Sequence, residues 1–368
     1  MKSEHPDFSR NVHCVFGLPF DAVTLERAVA SIRTAIARRT PCFFSTPNLN
    51  FLIAGQTNAA FRASVVNSDL SLADGMPIVW LARLMGIPIA QRVAGSDVFE
   101  ALRTSAGPVI NVYFFGGPPG VAELAARQIN TEDKSMVCVG FESPGYGSVE
   151  DISSVETIAR INQSGADFLV VSLGAAKGQA WIERNLEALE VPVVSHLGAV
   201  VNFVAGGVKR APRWMQKTGL EWVWRIREEP ALWKRYLSDG LGLIKLLVTT
   251  AIPLLYYKYL HRESPSRTVE VCLVCDDLSE PFVRLHGEDT LKSVGLLKEH
   301  LSKEYPRCKR LTVKLFDMSW IPSDLLGMFQ IMDSHGQITL RILVKNVKPC
   351  ALRQLKASGC NFEPEHFE

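Results

Sequence analysis

The chain has 368 residues, 47% of them hydrophobic and 21% charged, with a formal net charge of +2. That length and apolar content suffice for sizeable cores in two domains and exclude a disordered, collagenous or disulfide-scaffold protein. So small a net charge gives no reason to expect nucleic acid as a partner, and any anionic partner must meet a local patch. The eight Cys are scattered without regular spacing. The polar stretch Met1 to His13 lacks the apolar core of a signal peptide, so a reducing cytosol without disulfides is expected.

Residues 1–12 read as a polar tail. From 13 to 206, apolar runs alternate with helix-periodic segments, the pattern of a Rossmann-like α/β domain with a parallel sheet and crossover helices. Asp21 suits the N-cap of a helix carrying Val23, Ala28, Val29, Ile32 and Ile36 on one face. Strands are predicted at Cys42–Ser45, Leu70–Ala73, Val109–Phe115, Met136–Gly140, Phe168–Leu173 and Val193–Leu197. Most are continuous apolar runs, as in strands covered on both faces. Ligands of such sheets gather beyond the carboxyl ends of the strands, which directs attention to Thr46, Asn48, Asp74, Gly116, Gly117, the segment Gly174–Gln179 and His196.

Residues 207–261 differ in composition. Between Ala205 and Arg267 there are twelve Lys or Arg against five Asp or Glu, and four of the seven Trp of the chain. This local excess of +7 runs into Leu241–Leu260, apolar but interrupted by Lys245, Pro253 and Lys258. A spanning helix needs about 20 apolar residues and a central Lys costs about 2.5 to 3.5 kcal/mol, so a segment lying on a membrane surface is expected. Residues 262–267 read as a linker. Beyond it, 268–368 reads as a small α/β module with strands at Val269–Val274, Phe282–Leu285, Leu311–Leu315 and Ile338–Val344. A helix marked by Leu291, Val294, Leu297 and Leu301 is expected as well, with two more from Ser323 and over Pro349–Ser358.

Asp74 leaves an apolar strand, Gly75 permits a tight turn and Pro77 suits the first turn of the next helix. A carboxylate at that mouth can take a proton from a hydroxyl nucleophile, although an Asp there equally suits a helix cap. Thr46 and Asn48 are placed to orient a sugar or a base. Gly116 and Gly117, between a strand and a helix, can offer amides to a phosphate. No G-x-G-x-x-G, P-loop or D-x-D occurs, which argues against a dinucleotide enzyme, an NTPase and a carboxylate-held metal; no cofactor is expected. Cys272 and Cys275 are spaced to opposite faces of a strand and read as packing. His196, without a partner at ligand spacing, reads as a structural or substrate-contacting residue.

Thr46-Pro-Asn48, Ala73-Asp-Gly75, Gln91-Arg-Val-Ala-Gly-Ser-Asp97, Phe115-Gly-Gly117, Val171-Ser-Leu-Gly174, Lys209-Arg-Ala-Pro-Arg-Trp214, Gly219-Leu-Glu-Trp222 and Glu229-Pro230 together resemble the WecG/TagA/CpsF glycosyltransferases over about residues 13 to 240. The resemblance implies inverting transfer of a sugar, N-acetylmannosamine, its uronic acid or a related hexose, from a UDP-sugar to a polyprenyl-diphosphate-linked acceptor. It implies bacterial exopolysaccharide or cell-envelope synthesis on the cytoplasmic face of the membrane, without a metal. It also implies Asp74 as the base, Thr46, Asn48 and Arg92 in the site, and a basic appendage that completes it; the departing diphosphate it implies then needs guanidinium groups, for which Arg92, Arg210 and Arg213 are the candidates. Where that family shows Gly-x-Pro-Lys-Gln-Glu, this chain has Gly174-Ala-Ala-Lys-Gly-Gln179, leaving Gln179 as the candidate donor contact. A donor-binding-deficient scaffold and a nucleotide-cofactor oxidoreductase are the rival readings. Residues 268–368 more loosely resemble a STAS domain through Leu315-Phe-Asp-Met-Ser-Trp-Ile-Pro-Ser-Asp-Leu-Leu-Gly327, which implies a protein partner and makes Ser323 a candidate phosphosite. Self-association is also open.

Overall fold

The computed structural model describes residues 6–132, 135–260, 268–274, 282–286, 294–295, 297–299, 301–302, 310–316, 318, 320–334 and 339–364. They fall into two compact units, each discontinuous in sequence: one from Ala22–Leu81 and Ile89–Asp239, the other from Glu4–Asp21, Ala82–Pro88 and Gly240–Glu368. The expected linker at 262–267, Leu291 and Cys275 lie outside the described residues, and Cys272 is described as strand backbone only.

The chain opens with a hairpin that the sequence reading did not foresee, β1 (Val12–Val15) against β2 (Leu18–Asp21), antiparallel with Val15 opposite Leu18. Its two-residue turn puts Phe16 at φ 47° and Gly17 at φ 95°, the left-handed pair that matches strand twist. Asp21 therefore ends a strand. The following helix, Leu25–Arg38, is capped by Thr24, whose hydroxyl accepts from the Arg27 amide.

The first unit is built on a six-stranded sheet from β3 (Cys42–Ser45), β4 (Leu70–Ser71), β5 (Ile110–Gly116), β6 (Met136–Glu142), β7 (Phe168–Ser172) and β8 (Val193–His196). All pairs are parallel, in the order β4-β3-β8-β7-β5-β6. Alternation along each strand divides its side chains between two core layers. Phe44, Val112, Phe114, Phe168 and Val170 enter one layer, with the helices Leu25–Arg38 and Gly95–Thr104. Phe43, Tyr113, Phe115, Leu169 and Val171 enter the other, where Trp181 stacks on Phe115 at 4.4 Å and donates its indole N–H to the Ile152 carbonyl. This double coverage is why these strands read as unbroken apolar runs.

The second unit carries a mixed sheet of β9 (Thr268–Val274), β10 (Phe282–His286), β11 (Arg310–Phe316), β12 (Thr339–Lys345) and β13 (Glu363–Pro364), in the order β10-β9-β11-β12-β13. Val313, Leu315, Ile342 and Val344 form its core with Leu325, Phe329 and Met332 of the helix Ser323–Ser334, and Phe8 and Cys14 from the start of the chain join them. Gly327 makes the approach possible: a Cβ there would lie 2.7 Å from the Val12 carbonyl oxygen. The helix Pro349–Ser358 ends, as expected, at a left-handed Gly359.

Pro253 does not break the basic apolar segment. A wide turn over Leu247–Ala251 joins Trp233–Leu246 to Ile252–Leu260 and accommodates the missing amide. The run Pro230–Tyr259 is long and apolar enough to cross a membrane by length and composition, an 18-residue stretch of it having a mean hydropathy of 1.5. Its exposed large apolar residues are Trp233, Leu237, Leu241, Ile244, Val248, Ile252, Tyr256 and Tyr259. Their spacing of three or four residues puts them on one stripe, while Asp239, Leu246 and Leu254 are buried.

Candidate active site

In the first unit β3 hands the chain to β4 on one side, while β8 receives it from β7 on the other. Both steps run toward the β4 edge of the sheet, and they set the carboxyl ends of β3 and β8 side by side. A cavity of about 250 Å³ occupies this position. Thr46 and Asn48 follow β3, Asp74 follows β4, Gly174 follows β7, and His196 ends β8. Arg92 enters from the loop before Gly95–Thr104, and Glu221, Arg225 and Arg235 come from the basic appendage. Asn48 caps the helix Leu49–Thr57 through the Phe51 amide. Asn50 of that helix donates to Asp239 at 2.9 Å and so ties the appendage to the cavity wall.

One guanidinium organises the charge. Arg92 lies 3.7 Å from Asp74, 3.2 Å from Asp97 and 3.2 Å from Glu221. Asp97 also accepts from Arg210, which donates to Ser96 as well. The Asp74 carboxylate, two residues before the helix Met76–Met85, faces Arg92. The side chain keeps 28% of its surface open to the cavity, while the protein around it strips most of its hydration. Burial pushes its carboxyl up to about 7; Arg92 opposes the shift, and Glu221 and Asp97 reinforce it. A carboxylate poised near neutrality is suited to taking a proton from an alcohol.

His196 is 7% exposed, and burial lowers its imidazole to about 4, so the ring is neutral near pH 7. Its Nε2 has no hydrogen-bond partner among the described residues. A Cβ at Gly178 would lie 2.2 Å from the ring's Cδ2, so no side chain fits at 178 beside this histidine. That contact is the physical reason for a glycine where the resembling pattern has glutamine.

The structure brings Thr46, Asn48, Asp74, Arg92, Gly174 and His196 together, and Gly116, Gly117, Gln179, Arg210 and Arg213 do not line the cavity. Gly116 and Gly117 serve packing: the Gly117 N–H donates to the Ser172 carbonyl, and a Cβ at Gly116 would lie 2.5 Å from that oxygen. The Gly117 amide, expected to face a phosphate, is thus engaged by the backbone of β7. Gln179 is buried and donates to Ser45 Oγ at 3.1 Å, away from the cavity lining. Arg210 is engaged by Asp97, and Arg213 is exposed on its own helix, so neither lines the cavity. In the second unit, Ser323 Oγ sits 3.0 Å from His13 Nδ1. Glu221, Arg225 and Arg235 were missed as individuals. The spacing of Glu221 and Arg225, four apart on a helix, was the available sign that both share one face. Among the described residues no group of three or more His, Cys, Asp or Glu side chains is arranged to hold a metal ion.

Residues 13–254 match the sequence profile of the glycosyl transferase WecG/TagA/CpsF family. A protein of Bacillus spizizenii described as N-acetylglucosaminyldiphosphoundecaprenol N-acetyl-beta-D-mannosaminyltransferase is 28% identical over 206 residues, 56% of this chain and 78% of the relative. A Bacillus subtilis protein of the same description is 30% identical over 205 residues, 55% of this chain and 78% of the relative. A solved arylmalonate decarboxylase variant, 20% identical over 51% of this chain and 79% of its own, superposes with a TM-score of 0.22, which carries no argument.

Proposed function

The chain belongs to the WecG/TagA/CpsF family and is a glycosyltransferase, and from that premise we propose that it moves a hexose of the N-acetylmannosamine type from a UDP-sugar to a polyprenyl-diphosphate-linked acceptor in bacterial exopolysaccharide or cell-envelope synthesis. The observation that carries the reading is Asp74, held half-ionised near neutral pH at the mouth of the sheet with the Arg92 guanidinium 3.7 Å away. The carboxylate takes the proton of the acceptor hydroxyl as that oxygen bonds to the anomeric carbon. The bond from that carbon to the diphosphate breaks on the opposite face, and UDP leaves with the electron pair, which inverts the configuration. Arg92 is committed to three carboxylates. The growing charge of the diphosphate therefore falls to Arg225, paired to Glu229 at 3.7 Å, and to Arg235.

The exposed stripe along Pro230–Tyr259 supports peripheral attachment to the inner face of the plasma membrane, where the acceptor resides. An apolar stripe with cations beside it lies in the interface plane of an anionic bilayer. The strand and helix order around Ser323 supports reading the second unit as STAS-like and as the seat of a protein partner. The Ser323 hydroxyl is already paired with His13, which favours constitutive docking over a phosphate switch. Radiolabelled transfer from UDP-N-acetylmannosamine to a lipid-linked N-acetylglucosamine, with UDP-glucose as the control donor, tests the proposal. Failure of every UDP-hexose to transfer or to bind overturns it.

A further inference from the structure

We propose that His196 recognises the donor through a hydrogen bond from its imidazole to a neutral polar group of the UDP-hexose, and that Gly178 is the clearance that holds the ring in place for it. The inference rests on the donor reading above and adds a specificity residue to it.

The ring is both confined and unsatisfied. β8 pairs with β3 so that Ser195 stands opposite Phe44, which sets His196 beside the start of the loop bearing Thr46 and Asn48. On the side of the helix Ala175–Asn185, the Gly178 position closes against the ring, its notional Cβ 2.2 Å from Cδ2 and 3.0 Å from Cγ and Nε2. At Gly198 the notional Cβ lies 3.3 Å from Cε1 and Nε2. Two glycines thus hold one imidazole in one place, and Phe51 flanks it with ring centroids 6.4 Å apart.

A buried polar atom without a partner is costly, and native sites that leave one open commonly reserve it for a ligand. His196 is buried, lines the cavity and leaves Nε2 unpaired among the described residues. Its environment keeps the ring neutral, which suits a hydroxyl, carbonyl or amide and not a diphosphate. The cations that suit phosphate, Arg225 and Arg235, line the same cavity. The shared chemistry is a neutral hydrogen-bonding group, carried both by the uridine and by the N-acetylhexose.

The test uses the full chain and titration calorimetry with UDP and with UDP-N-acetylmannosamine, alongside KM and kcat. His196→Ala is expected to weaken donor binding about five- to tenfold and to raise KM with kcat nearly unchanged. His196→Gln, which keeps a donor and an acceptor, should recover part of that loss. Equal weakening for UDP alone assigns the contact to the uridine, and weakening only for the UDP-hexose assigns it to the sugar; both support the proposal. Gly178→Ala should also weaken binding by displacing the ring, and should add nothing to His196→Ala. Melting curves identify variants that fail to fold, and a folded His196→Gln or Gly178→Ala then carries the test. Unchanged affinity for both ligands in folded variants overturns the role of His196. Absence of UDP and UDP-hexose binding in the wild type overturns the donor reading itself, and this inference falls with it.

Discussion

At the scale of single residues, the arrangement around Arg92 makes Asp74 a weak acid by keeping it dry and near two other carboxylates. Asp74→Asn is expected to lower kcat by about 10² to 10⁴ while UDP binding persists, the size usual for a general base. The folded carboxyl, near 7 against 3.8 for the ordinary group, holds its proton to higher pH than the unfolded one. Its contribution to stability therefore declines as pH rises from about 4 to about 7. Asp74→Asn should consequently melt no lower than the parent at pH 8, whereas loss of a helix cap would lower the midpoint. The acid limb of kcat/KM against pH should have its midpoint near 7. Glu221→Gln should move it to lower pH, because it removes a charge that disfavours the Asp74 anion and frees Arg92 to favour it. A limb that stays in place separates Glu221 from the base. Asp74 was legible from its strand-turn-helix context, and Arg92 only through resemblance. Glu221, Arg225 and Arg235 come from a segment more than 120 positions further on, whose return to the sheet no local pattern encodes.

At the scale of elements, apolar runs marked the six parallel strands because both faces of that sheet are covered. The hairpin β1–β2 escaped notice because its strands are four residues each and the turn-forming Gly17 follows a Phe. Glycine between strand and helix suggested a phosphate cradle, and the Gly117 amide there bonds the backbone of β7. Gly116, at φ 106° with no room for a Cβ, should lose at least about 2 kcal/mol of stability on change to Ala, read by denaturant titration. UDP affinity of the folded fraction should stay unchanged, in contrast to Gly178→Ala. The exposed stripe is testable at the same scale. Replacing Leu237, Leu241, Ile244 and Val248 together by Ser should abolish flotation with liposomes rich in anionic lipid and leave transfer to a soluble acceptor analogue intact. Undiminished flotation would remove the stripe from the membrane reading.

At the scale of the whole molecule, the unit containing the last third of the chain also recruits its first residues. Phe8, Cys14 and the strands β1 and β2 share a core or a packing face with the helix Ser323–Ser334. The Gln330 side chain donates to the Gly17 carbonyl at 2.9 Å. The sequence suggested a boundary near 262–267 because composition changes there; composition carries no trace of a strand pair lent across the chain. A chain ending at residue 260 is thus expected to melt lower and to bind more hydrophobic dye than a chain lacking both 1–21 and 261–368. Equal dye binding by the two would show that the hairpin is stable alone.

The hairpin also imposes a timetable on synthesis. His13 and Ser323 are 310 positions apart, which at about 5 to 20 residues per second is about 15 to 60 s of translation. Throughout that interval β1 and β2 have left the ribosome, and the helix destined to cover them has not been made. Eight residues that end buried, Val12, Val15, Leu18 and Phe20 among them, must wait uncovered, within reach of chaperones and of other nascent chains. Made long before the helix that covers them, these residues are among the last to be protected.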